Sequence, residues 1–192
     1  MFRSRRITET HLIVMIVSAG ALLRLWRFEE IPFTHDEYSA VIRTGYDTFG
    51  ELIRRGVMVD GHPAWVQWMM WLMAAPGESV SVWWKLPFIL FSLGSIYLTY
   101  LVGKLWFHST AGLVSASFMA FLQFPVMYGQ MARPYASGLF FSLLMVWFWS
   151  GILFKPDRRL LVNLAGFAMA ATISALNHHF AMLFAEIGRA HV

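Results

Sequence analysis

The sequence predicts an all-α, polytopic integral membrane protein, with about five transmembrane helices and amphipathic interfacial helices in a large first external loop. Three observations carry that prediction. The 192 residues are 58% hydrophobic and 17% aromatic with only 14% charged, far too apolar for a soluble domain of this length. Apolar runs of spanning length recur along the chain. The basic residues stand in short clusters between those runs, as topology signals do, and not in a stripe that would fit nucleic acid. With no cysteine there is no disulfide framework and no thiolate metal site, so any metal would need His or carboxylate ligands.

The first span is predicted over Leu12 to Phe28, with Arg24 near the far interface and its head snorkelling out. The preceding FRSRR sets the N-terminus in the cytoplasm. Between His62 and Pro76 the apolar core is about 13 residues, or roughly 20 Å of helix against a hydrocarbon thickness of roughly 30 Å. That segment, with Trp65, Trp68 and Trp71, is therefore expected to lie on the membrane surface. Four further spans follow: Val82 to Gly103, Ala111 to Tyr128, Ala136 to Phe154 and Leu160 to Asn177. This parity returns Lys104 and the cluster Lys155 to Arg159 to the cytoplasm, as the positive-inside tendency requires. The external loop then runs over about 29–81.

The same parity brings THDE (34–37), GHPAW (61–65), QMARPY (130–135) and His178-His179 to one external face. Thr34 followed by Glu37 fits a capping box, with Phe33 and Tyr38 as a hydrophobic staple. Beyond it, Tyr38, Val41, Ile42, Gly45, Phe49, Leu52 and Ile53 recur at helical spacing and predict one amphipathic helix along the surface. A helix-start role alone explains Glu37, but the cap leaves Asp36 unused. A helix N-terminus favours its ionised form, suited to accepting a proton or binding a cation.

His62, just before a proline that suits a first helical turn, could donate to a phosphate oxygen, although a solvent-exposed turn histidine looks the same. Arg133 offers a fork of donors that matches a phosphate, although an arginine snorkelling to headgroups also fits there. Gln130 stands one turn earlier. His178 and His179 point about 100° apart on a regular helix, so both cannot ligate one metal from one face. No metal site is legible, and no cofactor is assigned; whether a divalent cation takes part stays open.

These residues resemble a family. The acidic pair Asp36-Glu37 after the first span, Gly61-His62-Pro63, Lys85-Leu86-Pro87 at a span start, Arg133-Pro134-Tyr135 and Asn177-His178-His179-Phe180 are similar, in order and spacing, to the membrane glycosyltransferases that use polyprenyl-phosphate sugars. These include protein O-mannosyltransferases and the enzymes that add aminoarabinose to lipid A, with the nearest likeness to bacterial family 39-like proteins. The likeness runs from about Leu12 to Phe180.

It implies an inverting transfer at the extracytoplasmic face of a bacterial inner membrane, from a polyprenyl-phosphate-linked sugar to a lipid, glycan or protein acceptor. It further implies Asp36 as base or acceptor-orienting acid with Glu37 in support, and His62, Arg133 and Tyr135 at the donor phosphate. His35, Gln130, His178 and His179 would line the site. Ala64 departs from the family's usual second proline, and Arg133-Pro134-Tyr135 stands where relatives place a second acidic residue, which puts a two-carboxylate mechanism in doubt. The alternative is a transport or lipid-binding protein without chemistry, whose ionisable residues would sit near mid-span.

Residues 1–185 are expected to form the N-terminal part of a transmembrane catalytic domain. The last seven, EIGRAHV (186–192), are similar to the translation of a common sequencing adapter and are expected to be a non-native tail.

Overall fold

The computed structural model describes residues 8–59, 64–73, 82–154 and 159–178, and among them no strand occurs. Helix α1 (Glu9–Leu25) is capped by Thr8, whose side chain accepts from the His11 N–H. A 3-10 turn at Phe28–Glu30 leads to α2 (His35–Ile42), then α3 (Phe49–Glu51), which runs on into a π turn at Leu52–Val57. After α4 (Trp65–Met73) and a 3-10 turn at Val82–Lys85 come α5 (Leu86–Trp106), α6 (Ser109–Phe121), α7 (Gln123–Gly129), α8 (Pro134–Phe154) and α9 (Leu160–Asn177).

Among the described residues, four segments are long and apolar enough to cross a membrane: Glu9–Glu30, Val82–Trp106, Pro134–Phe154 and Leu160–Asn177. The bent pair α6 and α7 makes a fifth. The protein is thus a multi-pass, all-α membrane protein, as its composition predicts. Central α5 packs on α6, α8 and α1, while α9 packs on the far side of α8. Small residues let these helices close up. A Cβ on Gly112 would stand 2.5 Å from the Tyr100 carbonyl oxygen, so only glycine fits between α6 and α5.

The span predicted from Ala111 to Tyr128 is bent in the middle, with α7 turned 61° from α6. Pro125 is the cause. It has no N–H to give to the Phe121 carbonyl four residues back, but it is tolerated in the first turn of a new helix. Leu122 between the two helices is extended (φ −67°, ψ 143°). The carbonyls freed at the end of α6 are taken by Arg24, whose Nη atoms donate to Ala120 O (3.1 Å) and Met119 O (2.9 Å). Arg24 therefore does not snorkel: it is fully buried, with further bonds to Ser92 Oγ (2.7 Å) and Gly20 O (3.1 Å).

The single surface helix predicted from Tyr38 to Ile53 is also two pieces. Thr44 closes α2 by donating both its N–H (2.9 Å) and its hydroxyl (2.7 Å) to Val41 O. Thr48 then caps a new helix by accepting from Glu51 N (3.2 Å), a second Thr-x-x-Glu start. The face that α2 buries carries Glu37, Ala40 and Val41, with Thr44 just beyond, whereas Tyr38 and Ile42 are exposed.

The nine residues of α4 rise about 14 Å, short of a bilayer core. Their apolar side chains join Ala40, Val41, Trp84, Phe88, Ala132 and Ala136 in one cluster. A second cluster, around Ile13, Ile96, Tyr100, Ala116 and Ala120, fastens α1 to α5 and α6. The starts of α1 and α6 and the end of α5 share one end of the bundle, where Lys104 Nζ pairs with Glu9 Oε2 at 2.5 Å. Lys155 to Arg158, the core of the basic cluster, and the tail at 186–192 lie outside the described residues.

Candidate functional site

The opposite end gathers the last turns of α1, α7 and α9, the starts of α5 and α8, and α2. Its organising group is Glu37. The capping box forms as predicted: Glu37 N donates to Thr34 Oγ1 (3.3 Å), and Thr34 N donates to Glu37 Oε2 (2.8 Å). The staple forms too, with the Phe33 and Tyr38 rings 5.8 Å apart.

Capping is only part of what Glu37 does. Its carboxylate is fully buried and faces Lys85 Nζ at 3.2 Å, a lysine that is itself 1% exposed. Lys85 also donates to Pro32 O (3.0 Å) and lies over the Phe33 ring (4.8 Å). Glu37 Oε1 accepts a further bond from Ala132 N at 2.7 Å, across 95 positions of sequence. One carboxylate thus ties α2, the head of α5 and the turn before α8. Such a pair gains enough to offset its desolvation only because its remaining lone pairs and protons are met.

That joint sets the two residues flanking it. Asp36 is exposed at the second position of α2, with no hydrogen bond or ion pair among the described residues. Arg133, next to Ala132, is 7% exposed; its Nε is enclosed without a partner, and no acceptor among the described residues meets its guanidinium. An enclosed donor without an acceptor costs about 1–3 kcal/mol. An anion bound beside it would remove that cost.

The other predicted residues divide. Tyr135 is 41% exposed, its ring 4.7 Å from that of Tyr128. Gln130 is taken up by the joint between α1 and α7, its Nε2 donating to Arg24 O at 2.9 Å. His35 is exposed beside Asp36. His178 caps α9 in a half-buried position. Asn177 before it is buried and bridges to α8, with Nδ2 donating to Pro134 O (2.8 Å) and Oδ1 accepting from Ser137 Oγ (2.6 Å). His62 and His179 lie outside the described residues. Among the described residues, no three His, Asp or Glu side chains stand together as a metal site would require.

Three of the predicted segments therefore meet at one end: 34–37, 130–135 and 177–178. Lys85 and Arg24 went unrecognised as buried anchors. A lysine directly ahead of Leu-Pro at a span start, and a proline inside the third span, were the signals available.

Residues 61–187, about two thirds of the chain, match the family model described as dolichyl-phosphate-mannose-protein mannosyltransferase. The match takes in Lys85, Arg133, Tyr135 and Asn177 and leaves α1 and α2 outside. No curated protein and no solved structure matches the chain.

Proposed function

We propose, for a chain that belongs to the dolichyl-phosphate-mannose-protein mannosyltransferase family, an inverting glycosyl transfer carried out at the end of the bundle where Asp36 and Arg133 flank the Glu37 joint. The family makes it a membrane glycosyltransferase that takes its sugar from a polyprenyl phosphate. The acceptor is a lipid, glycan or protein hydroxyl, the site faces away from the cytoplasm, and the membrane is the bacterial plasma membrane with the N-terminus inside.

In the reaction the acceptor oxygen attacks the anomeric carbon while the bond from that carbon to the phosphate oxygen breaks, its electron pair leaving with the phosphate. Asp36 takes the acceptor's proton. An exposed carboxylate at a helix start, without a partner among the described residues, suits that role. Arg133 receives the departing phosphate, where charge grows as the bond breaks. Tyr135 and His62 complete the phosphate site. Glu37 and Lys85 act as positioning residues: the bond from Ala132 N to Glu37 fixes the turn that carries Arg133 relative to the helix that carries Asp36.

The observation that carries this reading is Arg133, 7% exposed, with its Nε enclosed and no acceptor for it among the described residues. The test is transfer from a labelled polyprenyl-phosphate sugar in membranes containing the protein. Asp36→Asn should lower the rate by about 10²–10⁴-fold, and Arg133→Ala by about 10²–10³-fold. Wild-type rates in both variants would refute the assignment.

A further inference from the structure

At the end of the bundle away from the Glu37 joint, where Glu9 meets Lys104, α1 and α8 both pack on α5, and clefts open beside it. One cleft, of about 590 Å³, is walled by Val14 of α1, Tyr97 and Leu101 of α5 and Trp147 of α8, with Lys104 at its rim. The other, of about 430 Å³, lies between α8 and α9 and is walled by Phe148, Gly151 and Val162, with Arg159 at its rim. Leu105 and Trp147 line both, so the two clefts are neighbours across one ridge.

Val14, Tyr97 and Val162 are exposed on spanning helices, and hydrocarbon therefore reaches both clefts from the membrane. Each falls in the range of roughly 300–1,000 Å³ that holds a ligand. Lys104 lies in the last turn of α5 and Arg159 is the N-cap of α9, so both cations stand where headgroups begin. Trp106 marks the same level: it is exposed and donates its Nε1 to Ser150 Oγ in the second cleft (2.8 Å), as an interfacial tryptophan does.

Polar groups at the mouths distinguish these clefts from ordinary lipid-facing surface. Arg159 holds a left-handed backbone (φ 57°), a strained conformation for a residue with a Cβ, and its guanidinium meets no acceptor among the described residues. The half-buried Asn163 carboxamide lies over Gly151, where a Cβ would stand 2.7 Å from its Nδ2, and it too has no hydrogen-bond partner among the described residues. Lys104 donates to Glu9 Oε2 and to the Tyr100 hydroxyl, which leaves one of its three protons. In the sequence Arg159 closes the run Lys155-Pro156-Asp157-Arg158. Cations thus outnumber acids here even with Glu9 counted.

We infer that the two clefts hold the two acyl chains of one anionic diacyl phospholipid, with its phosphate at Arg159 and Asn163 and Lys104 as the second cation across the ridge. Basic pockets between spanning helices on the cytoplasmic side bind anionic headgroups, and the positive-inside tendency assigns this end to the cytoplasm. A single-chain lipid would leave one cleft empty, and a zwitterionic one would bring its own ammonium toward Arg159. The site lies away from Asp36 and Arg133 and does not rest on the transferase reading.

The test titrates the full-length protein, delipidated in detergent, with phosphatidylglycerol or with phosphatidylcholine of the same chains, and bound lipid is counted by native mass spectrometry. Phosphatidylglycerol should bind about thirtyfold more tightly, the worth of two cations at a membrane surface. Arg159→Gln should weaken phosphatidylglycerol about fivefold and leave phosphatidylcholine unchanged. Val162→Trp and Val14→Trp, which fill one cleft each, should weaken both lipids. Leu22→Trp, on an exposed turn of α1 at the other end, should bind both as wild type. Phosphatidylglycerol carrying a diazirine in an acyl chain should label residues 97–105, 147–151 and 159–163.

Equal affinity for the two lipids, or wild-type binding by both Arg159→Gln and Val162→Trp, would overturn the inference. Adducts confined to other segments would overturn it as well, the result expected where another stretch of protein covers the clefts.

Discussion

Two buried arginines at the same end of the bundle have opposite surroundings. Arg24 reaches four acceptors, one side-chain hydroxyl and three backbone carbonyls, and is fully enclosed. Arg133 is nearly as deeply enclosed and reaches none among the described residues. Burial alone ranks the two alike; partner accounting separates them. The first closes a joint that the sequence had to break at Pro125. The second is a cation for which the described residues supply no counter-charge. The carboxylates repeat the contrast, with Glu37 saturated by Thr34, Lys85 and Ala132 while its neighbour Asp36 meets no partner among the described residues.

Breaking a closed joint should cost stability, and the largest cost is expected where a charge is left behind. Glu37→Gln strands the Lys85 ammonium in a buried site and should destabilise by about 3–5 kcal/mol. Adding Lys85→Met should restore much of that stability, because the stranded charge is gone. Thermal unfolding in detergent reads both. A double variant no more stable than Glu37→Gln would mean that the pair is not what holds α2 to α5.

Removing an open group should cost activity instead. Arg133→Ala takes away a cation with no partner among the described residues, so transfer should fall by about 10²–10³-fold while the melting temperature stays level or rises. Arg24→Met should do the reverse. It orphans the carbonyls of Met119 and Ala120, at about 1–3 kcal/mol for each buried acceptor, with activity lost only in proportion to folded protein. If Arg133→Ala unfolds the protein and Arg24→Met does not, the contrast between the two arginines is wrong.

Much of this was legible in the sequence, and the physical reasons differ by residue. Thr34, Phe33, Glu37 and Tyr38 were readable because capping boxes and staples are local, fixed by spacings of three to five residues. The spans were readable from hydropathy, which is also local. Hidden were the pairings across long separations: Glu37 with Ala132 and Lys85, and Arg24 with Ala120 and Ser92. A lone arginine near a span end reads the same whether it snorkels or caps a broken helix until the break is placed. Pro125 could have placed it. The split of the surface helix had a local sign as well, since Thr48 and Glu51 repeat the spacing of Thr34 and Glu37.

The smallest effect is expected from the other Glu–Lys pair. Glu9 and Lys104 meet at 2.5 Å, closer than Glu37 and Lys85 at 3.2 Å, yet their side chains are 45% and 46% exposed against 0% and 1%. Distance would rank the Glu9 pair the stronger, but solvent decides otherwise. An exposed pair gains little over its hydrated ions, is screened by salt and must hold two long side chains still. Lys104→Met should therefore shift the melting temperature by less than about 2 °C and leave transfer unchanged. It strands no buried charge, because Glu9 stays in contact with water and with the Tyr100 hydroxyl at 3.1 Å. A shift as large as that of Glu37→Gln would show that geometry outweighs burial in this bundle, and the distinction between closed joints and open groups would then need a different physical basis.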